Sequence, residues 1–281
     1  MITPFDGEGA VDLDEARRLA AYLVDVQAND TVLVNGTTGE SPTTSDEEKR
    51  ALVKAVVAEI GDRAQVLAGV GTFDTKHTVD LAHDAQDAGA DGLLVVTPYY
   101  SRPPQDAVGQ HFWTVADAVD LPIMIYDIPS RTGTPVETQT LIDLAAHDCI
   151  VAVKDAKGLP VESAKVMAAC GLVYYAGDDG MTLPLLSVGA SGVVGTSTHF
   201  TGARTKQMIE AFLAGDLAGA IERYRALLPV YTGVFATQGC LLVKAGLAAR
   251  GFAPGGVRQP LLAANEAQAA AFVALLDAAG L

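Results

Sequence analysis

The chain has 281 residues, 49% of them hydrophobic and 19% charged, which is enough apolar material for a sizeable core and not the composition of a disordered chain. Its 34 acidic residues against 19 basic ones leave a formal net charge of −15 with no Lys/Arg-rich run, a field that repels phosphate backbones and anionic membranes and speaks against nucleic acid as a partner. Three scattered cysteines, Cys149, Cys170 and Cys240, make no C-x-x-C pair, so neither a disulfide framework nor a zinc site is expected and a reducing, cytoplasmic setting fits best.

The opening MITPFDGEGA lacks the basic flank and apolar stretch of a signal peptide. No run reaches the ~18 apolar residues that a membrane helix needs. The first helical pattern begins at Asp12, with Glu15 three residues on and Leu19, Leu23 and Val26 along one face. Then comes an apolar run, TVLVNG (31–36), followed by a helix opened by the capping box Ser45-x-x-Glu48 and continued by Leu52, Val56 and Ile60.

Further short, β-branched runs ending in polar or Gly/Pro residues follow: QVLAGVG (65–71), GLLVVTPYY (92–100), PIMIYDIP (122–129), CIVAVKDA (149–156), LVYYAGDD (172–179) and SGVVGTST (191–198). Strand and helix alternate at about 25 to 30 residues per unit, which argues for an α/β fold with a parallel sheet, open or closed into a barrel. Closure needs an eighth strand, and only Met1 to Phe5 stand before the first helix, so that strand would be stunted. After residue 200 only helical patterns remain.

Several stretches are candidates for chemistry. In GTTGE (Gly36 to Glu40) two glycines flank two hydroxyl residues at the end of a strand; the backbone N–H groups and hydroxyls suit a carboxylate or phosphate, and an ordinary strand-to-helix turn is the plainer alternative. The Gly69–Val70–Gly71 run lacks the third glycine of a dinucleotide fingerprint. Asp178 and Asp179 have no His or Glu at ligand spacing, so a hydrogen-bonded turn is expected rather than a metal. Four of the five histidines fall in helical patterns, where packed or solvated roles are expected. Tyr99, Tyr100 and Tyr126 lie at strand ends, and Arg131 lies in the turn PSRTG.

Lys154 is the residue out of place. It ends the apolar run Ile150–Val153, which reads as a strand buried on both faces, and it shares a face with Ile150 and Ala152. A lysine buried there loses solvation, its pKa falls, and its neutral amine becomes a nucleophile for a carbonyl. The alternative is a lysine reaching solvent past the end of the strand. An anion-holding turn, a tyrosine and an arginine, all following strands, favour the first reading, and a keto acid has both of the groups this set would recognise.

With these residues in view the sequence resembles the dihydrodipicolinate synthase and N-acetylneuraminate lyase family of class I aldolases. ITPF, GTTGESPT, VTPYYSRPP, IYDIPSRTG, VAVKDAKG and AGDD stand in the family's order over nearly the whole chain. The resemblance implies a (β/α)8 TIM barrel over residues 1–216 with a C-terminal helical extension over 217–281. It also implies a lyase in which Lys154 forms an imine with pyruvate while Thr37 and Thr38 hold the pyruvate carboxylate. Tyr126 relays protons through Thr38 to Tyr100, a tyrosine that the family lends between subunits, which makes a homotetramer built from tight dimers the expected assembly. Arg131 takes the carboxylate of L-aspartate 4-semialdehyde, and Gly177 and Val194 line the pyruvate site. No metal or organic cofactor is required.

Within the resemblance, the threonine pair and the arginine point to the branch that makes the lysine precursor. The competing readings are another pyruvate-dependent aldolase, acting on N-acetylneuraminate or a 2-keto-3-deoxy sugar acid, and a noncatalytic paralogue that binds a keto acid. His77 stands where feedback-inhibited members carry a carboxylate, so weak or absent inhibition by L-lysine is expected.

Overall fold

The computed structural model describes residues 1–281. In chain order the elements are α1 (Leu13–Asp25), β1 (Thr31–Val34), α2 (Asp46–Ile60), β2 (Gln65–Gly69), α3 (Thr75–Asp87), β3 (Gly92–Val96), α4 (Gln105–Ala116) and β4 (Ile123–Asp127). Next come α5 (Pro129–Thr132), α6 (Thr138–Leu144), β5 (Ile150–Asp155), α7 (Pro160–Ala169), β6 (Val173–Ala176), α8 (Thr182–Leu186) and β7 (Gly192–Val193). The chain finishes with α9 (Thr198–Leu213), α10 (Leu217–Gly233), α11 (Gly239–Ala249) and α12 (Glu266–Ala278).

All seven strands expected from the sequence are present, and each starts within a residue of its apolar run. They end sooner than the runs do, because the polar and glycine residues at each run's end turn out of the sheet into the loop that leads to the next helix. The strands follow sheet order β1 to β7, and every pairing from β2 to β7 is parallel. That is the arrangement the strand–helix alternation predicts, since parallel neighbours need a helical crossover.

The chain forms two compact units, residues 1–66 with 196–281 and residues 67–195. In the second unit the core is the sheet's apolar side chains, among them Leu93, Val95, Ile123, Ile125 and Val153, all buried. Gly71 belongs to this packing: a Cβ there would lie 2.3 Å from the Val96 backbone nitrogen. This gives the Gly69–Gly71 run a steric reason unrelated to nucleotides. Val151 corrects the expectation of a strand buried on both faces. It is 41% exposed, because alternate β5 side chains point to opposite faces and the one carrying Val151 is only partly covered.

In the first unit, α1 starts where Asp12 accepts from the Asp14 and Glu15 backbone N–H groups, and α2 starts with the full Ser45–Glu48 capping box. Each cap satisfies donors that the first helical turn leaves open. The segment before α1 forms no sheet strand. Phe5 makes an isolated antiparallel bridge with Val11, and the N-terminal ammonium donates to the Leu33 carbonyl at 2.6 Å. A single bridge forms no ladder that could offset the entropy of ordering a longer strand there.

The C-terminal helices pack through close backbone approach and aromatic contacts. Phe200 of α9 and Phe272 of α12 meet edge to face at 5.8 Å, and a Cβ on Gly246 of α11 would lie 2.7 Å from the Phe200 ring. No helix is long and apolar enough to cross a membrane.

Candidate active site

Lys154 is the penultimate residue of β5 and stands in register with Tyr126 of β4 and Tyr175 of β6. Its side chain is 9% exposed, so it does not escape to solvent past the end of the strand. Its Nζ lies 4.2 Å from the centroid of the Tyr126 ring, which makes Lys154 and Tyr126 neighbours in space as well as in register.

Burial pulls the Lys154 pKa down to about 8; Asp179 opposes this by favouring the ammonium, and the Arg131 guanidinium adds to the fall. Desolvation outweighs the attraction of the carboxylate because a buried ammonium forfeits its hydration. The chemical consequence is large. At pH 7 a pKa near 8 leaves roughly one-tenth of the amines neutral, against about 0.03% at the ordinary lysine value. Imine formation with a keto acid should therefore rise with pH, pass its midpoint near 8 and level off above about 9, as the nucleophilic amine replaces the ammonium. Borohydride trapping of pyruvate on Lys154 between about pH 6 and 11 measures this, and a midpoint near 10 would contradict it.

Asp179 is the residue of this set that sequence reasoning undervalued. The pair Asp178–Asp179 divides its work: Asp178 accepts from the Gly180 N–H at 2.9 Å and caps a short 3-10 turn, as a hydrogen-bonded turn requires. Asp179 is buried and supplies the negative charge felt by Lys154. The available signal was the doubling itself, since one aspartate suffices for the turn.

The ends of β4 and β5 are held by a buried polar cluster that the sequence did not single out. Asp127 lies 2.9 Å from the Lys157 ammonium and accepts from the Val136 N–H at 3.1 Å. Asp155, opposite Asp127 in the register, accepts from the Lys157 N–H at 2.8 Å and from the Ser163 hydroxyl. Burial pushes the Asp127 pKa up, and the Lys157 charge works against that rise. The cluster braces the residues that directly follow Tyr126 and Lys154.

Gly177 and Val194 sit one step past the ends of β6 and β7, where Gly177 donates to the Asp155 carbonyl at 2.7 Å and Val194 to the Ala176 carbonyl at 2.8 Å. A Cβ on Gly177 would lie 3.0 Å from that of Ala156, so the position tolerates no bulk. Arg131 is exposed on the short helix α5, which Gly133 closes in the left-handed region at φ +76°. Tyr100 is 94% exposed with φ +73°. A bulky aromatic in that conformation is an outlier, and the chain does not enclose it as it encloses Tyr126.

In the first unit, Thr37 and Thr38 open a 3-10 turn, Thr37–Gly39, whose leading N–H groups have no acceptor within the turn. The turn closes through Gly39 N–H to the Gly36 carbonyl at 3.0 Å, and Thr3 anchors it by donating to the Gly39 carbonyl at 2.6 Å. The Thr38 and Thr196 hydroxyls lie 3.3 Å apart. Thr196 is steadied in turn by His199: the Ile2 N–H donates to Nε2 at 3.1 Å, so Nδ1 carries the proton and donates to the Thr196 carbonyl at 2.8 Å. Burial and the N-terminal ammonium push the His199 pKa down to about 3, so the ring stays neutral. It is a packed histidine, as its helical pattern predicts, and so is His111, whose burial lowers its pKa to about 4.

A separate cleft of about 1000 Å³ in the first unit is lined by Phe5, Asp12, Lys244, Phe252 and Arg258, among others. None of the sequence-predicted site residues lines it. No group of three or more His, Cys, Asp or Glu side chains is arranged to hold a metal ion.

Residues 1–279 match the model of the dihydrodipicolinate synthetase family. The chain belongs to that family. It is 60% identical over 277 residues to a 4-hydroxy-tetrahydrodipicolinate synthase of Cutibacterium acnes, covering 99% of this chain and 94% of the relative. It is 56% identical over 280 residues to the enzyme of the same name from Acidothermus cellulolyticus, covering 100% and 91%. Among solved structures, a dihydrodipicolinate synthase from Cyanidioschyzon merolae with lysine bound superimposes with a TM-score of 0.98 at 35% identity, over 100% of this chain and 96% of that one. One from Bacillus anthracis gives 0.96 at 35% identity, over 99% and 95%. The family's dihydrodipicolinate synthetase pattern thus spans both the strand carrying Lys154 and the turn carrying Thr37 and Thr38.

Proposed function

We infer that the chain condenses pyruvate with L-aspartate 4-semialdehyde to give 4-hydroxy-tetrahydrodipicolinate, as a lyase of the class I aldolase type in lysine and diaminopimelate biosynthesis. The observation that carries this reading is Lys154, a buried amine of lowered pKa beside the Tyr126 ring, in a chain 60% identical to an enzyme bearing that name.

The chemistry assigned to each residue follows from its surroundings. The Lys154 amine attacks the keto carbon of pyruvate, and water leaves to give an imine that acts as an electron sink. Loss of a methyl proton gives the enamine, whose carbon attacks the aldehyde. The amino group of the semialdehyde then adds to the imine carbon, closes the ring and releases Lys154. Thr37 and Thr38 hold the pyruvate carboxylate with backbone N–H groups and hydroxyls, and Gly177 and Val194 line the pyruvate site. Tyr126 moves the protons; alone a phenol is a weak base at neutral pH, and linkage through Thr38 to Tyr100 is what makes it effective. Arg131, exposed and cationic, recognises the carboxylate of the semialdehyde.

Tyr100, strained and exposed in the single chain, fits a role completed by a second subunit, and this supports the homotetramer of paired dimers. The same reading takes residues 1–216 as a (β/α)8 barrel that closes through the N-terminal segment, with 217–281 as its helical extension, and places the enzyme in the cytoplasm.

The test is purified protein supplied with pyruvate and L-aspartate 4-semialdehyde, with product read through a coupled reductase and N-acetylneuraminate cleavage assayed in parallel. Rapid cyclic product and no sialic acid cleavage are expected. Arg131→Ala should raise KM for the semialdehyde by about 10- to 100-fold while leaving pyruvate trapping intact. Cleavage of N-acetylneuraminate without condensation would sink the synthase reading and keep the imine chemistry.

A further inference from the structure

Glu40 is the unusual residue of the threonine turn. It closes the 3-10 turn Thr37–Gly39 and opens the next, Ser41–Thr43, from the left-handed region at φ +56° and ψ +33°. A residue with a Cβ keeps that conformation where its surroundings over-determine it. Its backbone is the joint of the double turn: its N–H donates to the Thr37 carbonyl at 3.2 Å, and its own carbonyl accepts from the Thr43 N–H at 2.9 Å.

The side chain explains how the joint is held. Glu40 is 1% exposed and its Oε1 lies 2.8 Å from Nζ of Lys244, itself 5% exposed on α11. The Arg258 N–H donates to Glu40 Oε2 at 2.9 Å. Lys244 also donates to the Gly256 carbonyl and sits 4.3 Å from the Phe5 ring centroid, with the Arg258 guanidinium 4.4 Å from the same centroid. Arg258 is fixed by Glu48 at 2.6 and 2.7 Å and by the Gly9 and Thr43 carbonyls. Lys244 thus has two contacts besides Glu40, the Gly256 carbonyl and the Phe5 ring, and burial lowers its pKa while Glu40 works to keep it charged.

A buried ion pair adds little net stability over an apolar pair of the same shape, because desolvating two charges offsets their attraction. What it supplies is direction: it is satisfied in one geometry, and here that geometry requires Glu40 to be left-handed. We propose that Glu40 and Lys244 are positioning residues for the substrate carboxylate, their buried ion pair locking the joint that aims Thr37 and Thr38. The proposal rests on the assignment of that turn to the pyruvate carboxylate.

Steady-state kinetics with both substrates on Glu40→Gln, on the double variant Glu40→Gln with Lys244→Met, and on Thr37→Val tests it. The double variant leaves no unpaired charge and serves where the single one folds poorly. In both Glu40 variants KM for pyruvate should rise about 10-fold with KM for the semialdehyde within about twofold of the parent, and kcat should fall as well because Thr38 also belongs to the proton relay. A stability defect alone would lower the amount of active enzyme and leave KM unmoved. An unchanged pyruvate KM in the Glu40 variants beside a raised one in Thr37→Val overturns the proposal and spares the assignment of the turn. An unchanged KM in Thr37→Val overturns both. Loss of cooperative melting in both Glu40 variants makes the pair a determinant of folding and overturns the positioning role.

Discussion

Lys154→Ala is expected to lower kcat by about 10⁴-fold or more and to abolish the borohydride-trapped pyruvate adduct, with the fold retained. The size follows from what is lost. Without the amine there is no imine, and the methyl proton of free pyruvate is too weakly acidic for a side chain near neutral pH to remove at a useful rate. The fold should survive because Lys154 contributes a desolvated cation rather than apolar packing: its pKa of about 8 records that the ammonium is worse off in the folded chain than in water. For a group with its folded pKa depressed in this way, the destabilisation is full below pH 8 and fades as pH rises toward the unfolded value. Lys154→Ala should therefore melt no lower than the parent at pH 7. A variant that retains turnover would refute the imine mechanism, and one that unfolds would refute this account of the burial.

Tyr126→Phe is the second large effect. Removal of the hydroxyl should lower kcat by about 10² to 10³-fold, the usual contribution of a positioned acid–base group, and KM for pyruvate should change by less than about threefold. The ring itself packs within a fully buried strand and against Nζ of Lys154, and phenylalanine preserves that packing, so the loss isolates proton transfer. Pyruvate should still be trapped on Lys154, more slowly. Full-speed condensation in Tyr126→Phe would remove the tyrosine from the proton path and shift attention to Asp179 or to water.

These two effects rest on a pair of residues legible at very different levels. Lys154 announced itself in the chain, because a lysine closing a β-branched run is a local anomaly. Tyr126 did not; a lone tyrosine at a strand end is expected to pack, so its role came from the family resemblance, and the parallel register opposite Lys154 supplies the physical reason. Asp179 shows the same limit from the other side. Both aspartates of its pair look alike in sequence, and burial alone separates the turn-capping Asp178 from the buried Asp179.

What the sequence by itself determined is the local grammar of the fold. Seven β-branched runs become seven strands, Asp12 and Ser45 start the helices they were expected to cap, and parallel order follows because each strand is followed by a helix long enough to cross over. These are decided within a few residues by sterics, capping hydrogen bonds and apolar period. The tertiary structure decided what depends on partners distant in the chain. Phe5 bridges Val11 instead of starting a strand, Val151 surfaces because cover on its face is incomplete, and Glu40 finds Lys244 two hundred residues on. Pairings of that kind carry no local period or cap to betray them, since a buried charge is satisfied by whichever opposite group the completed fold brings within about 3 Å.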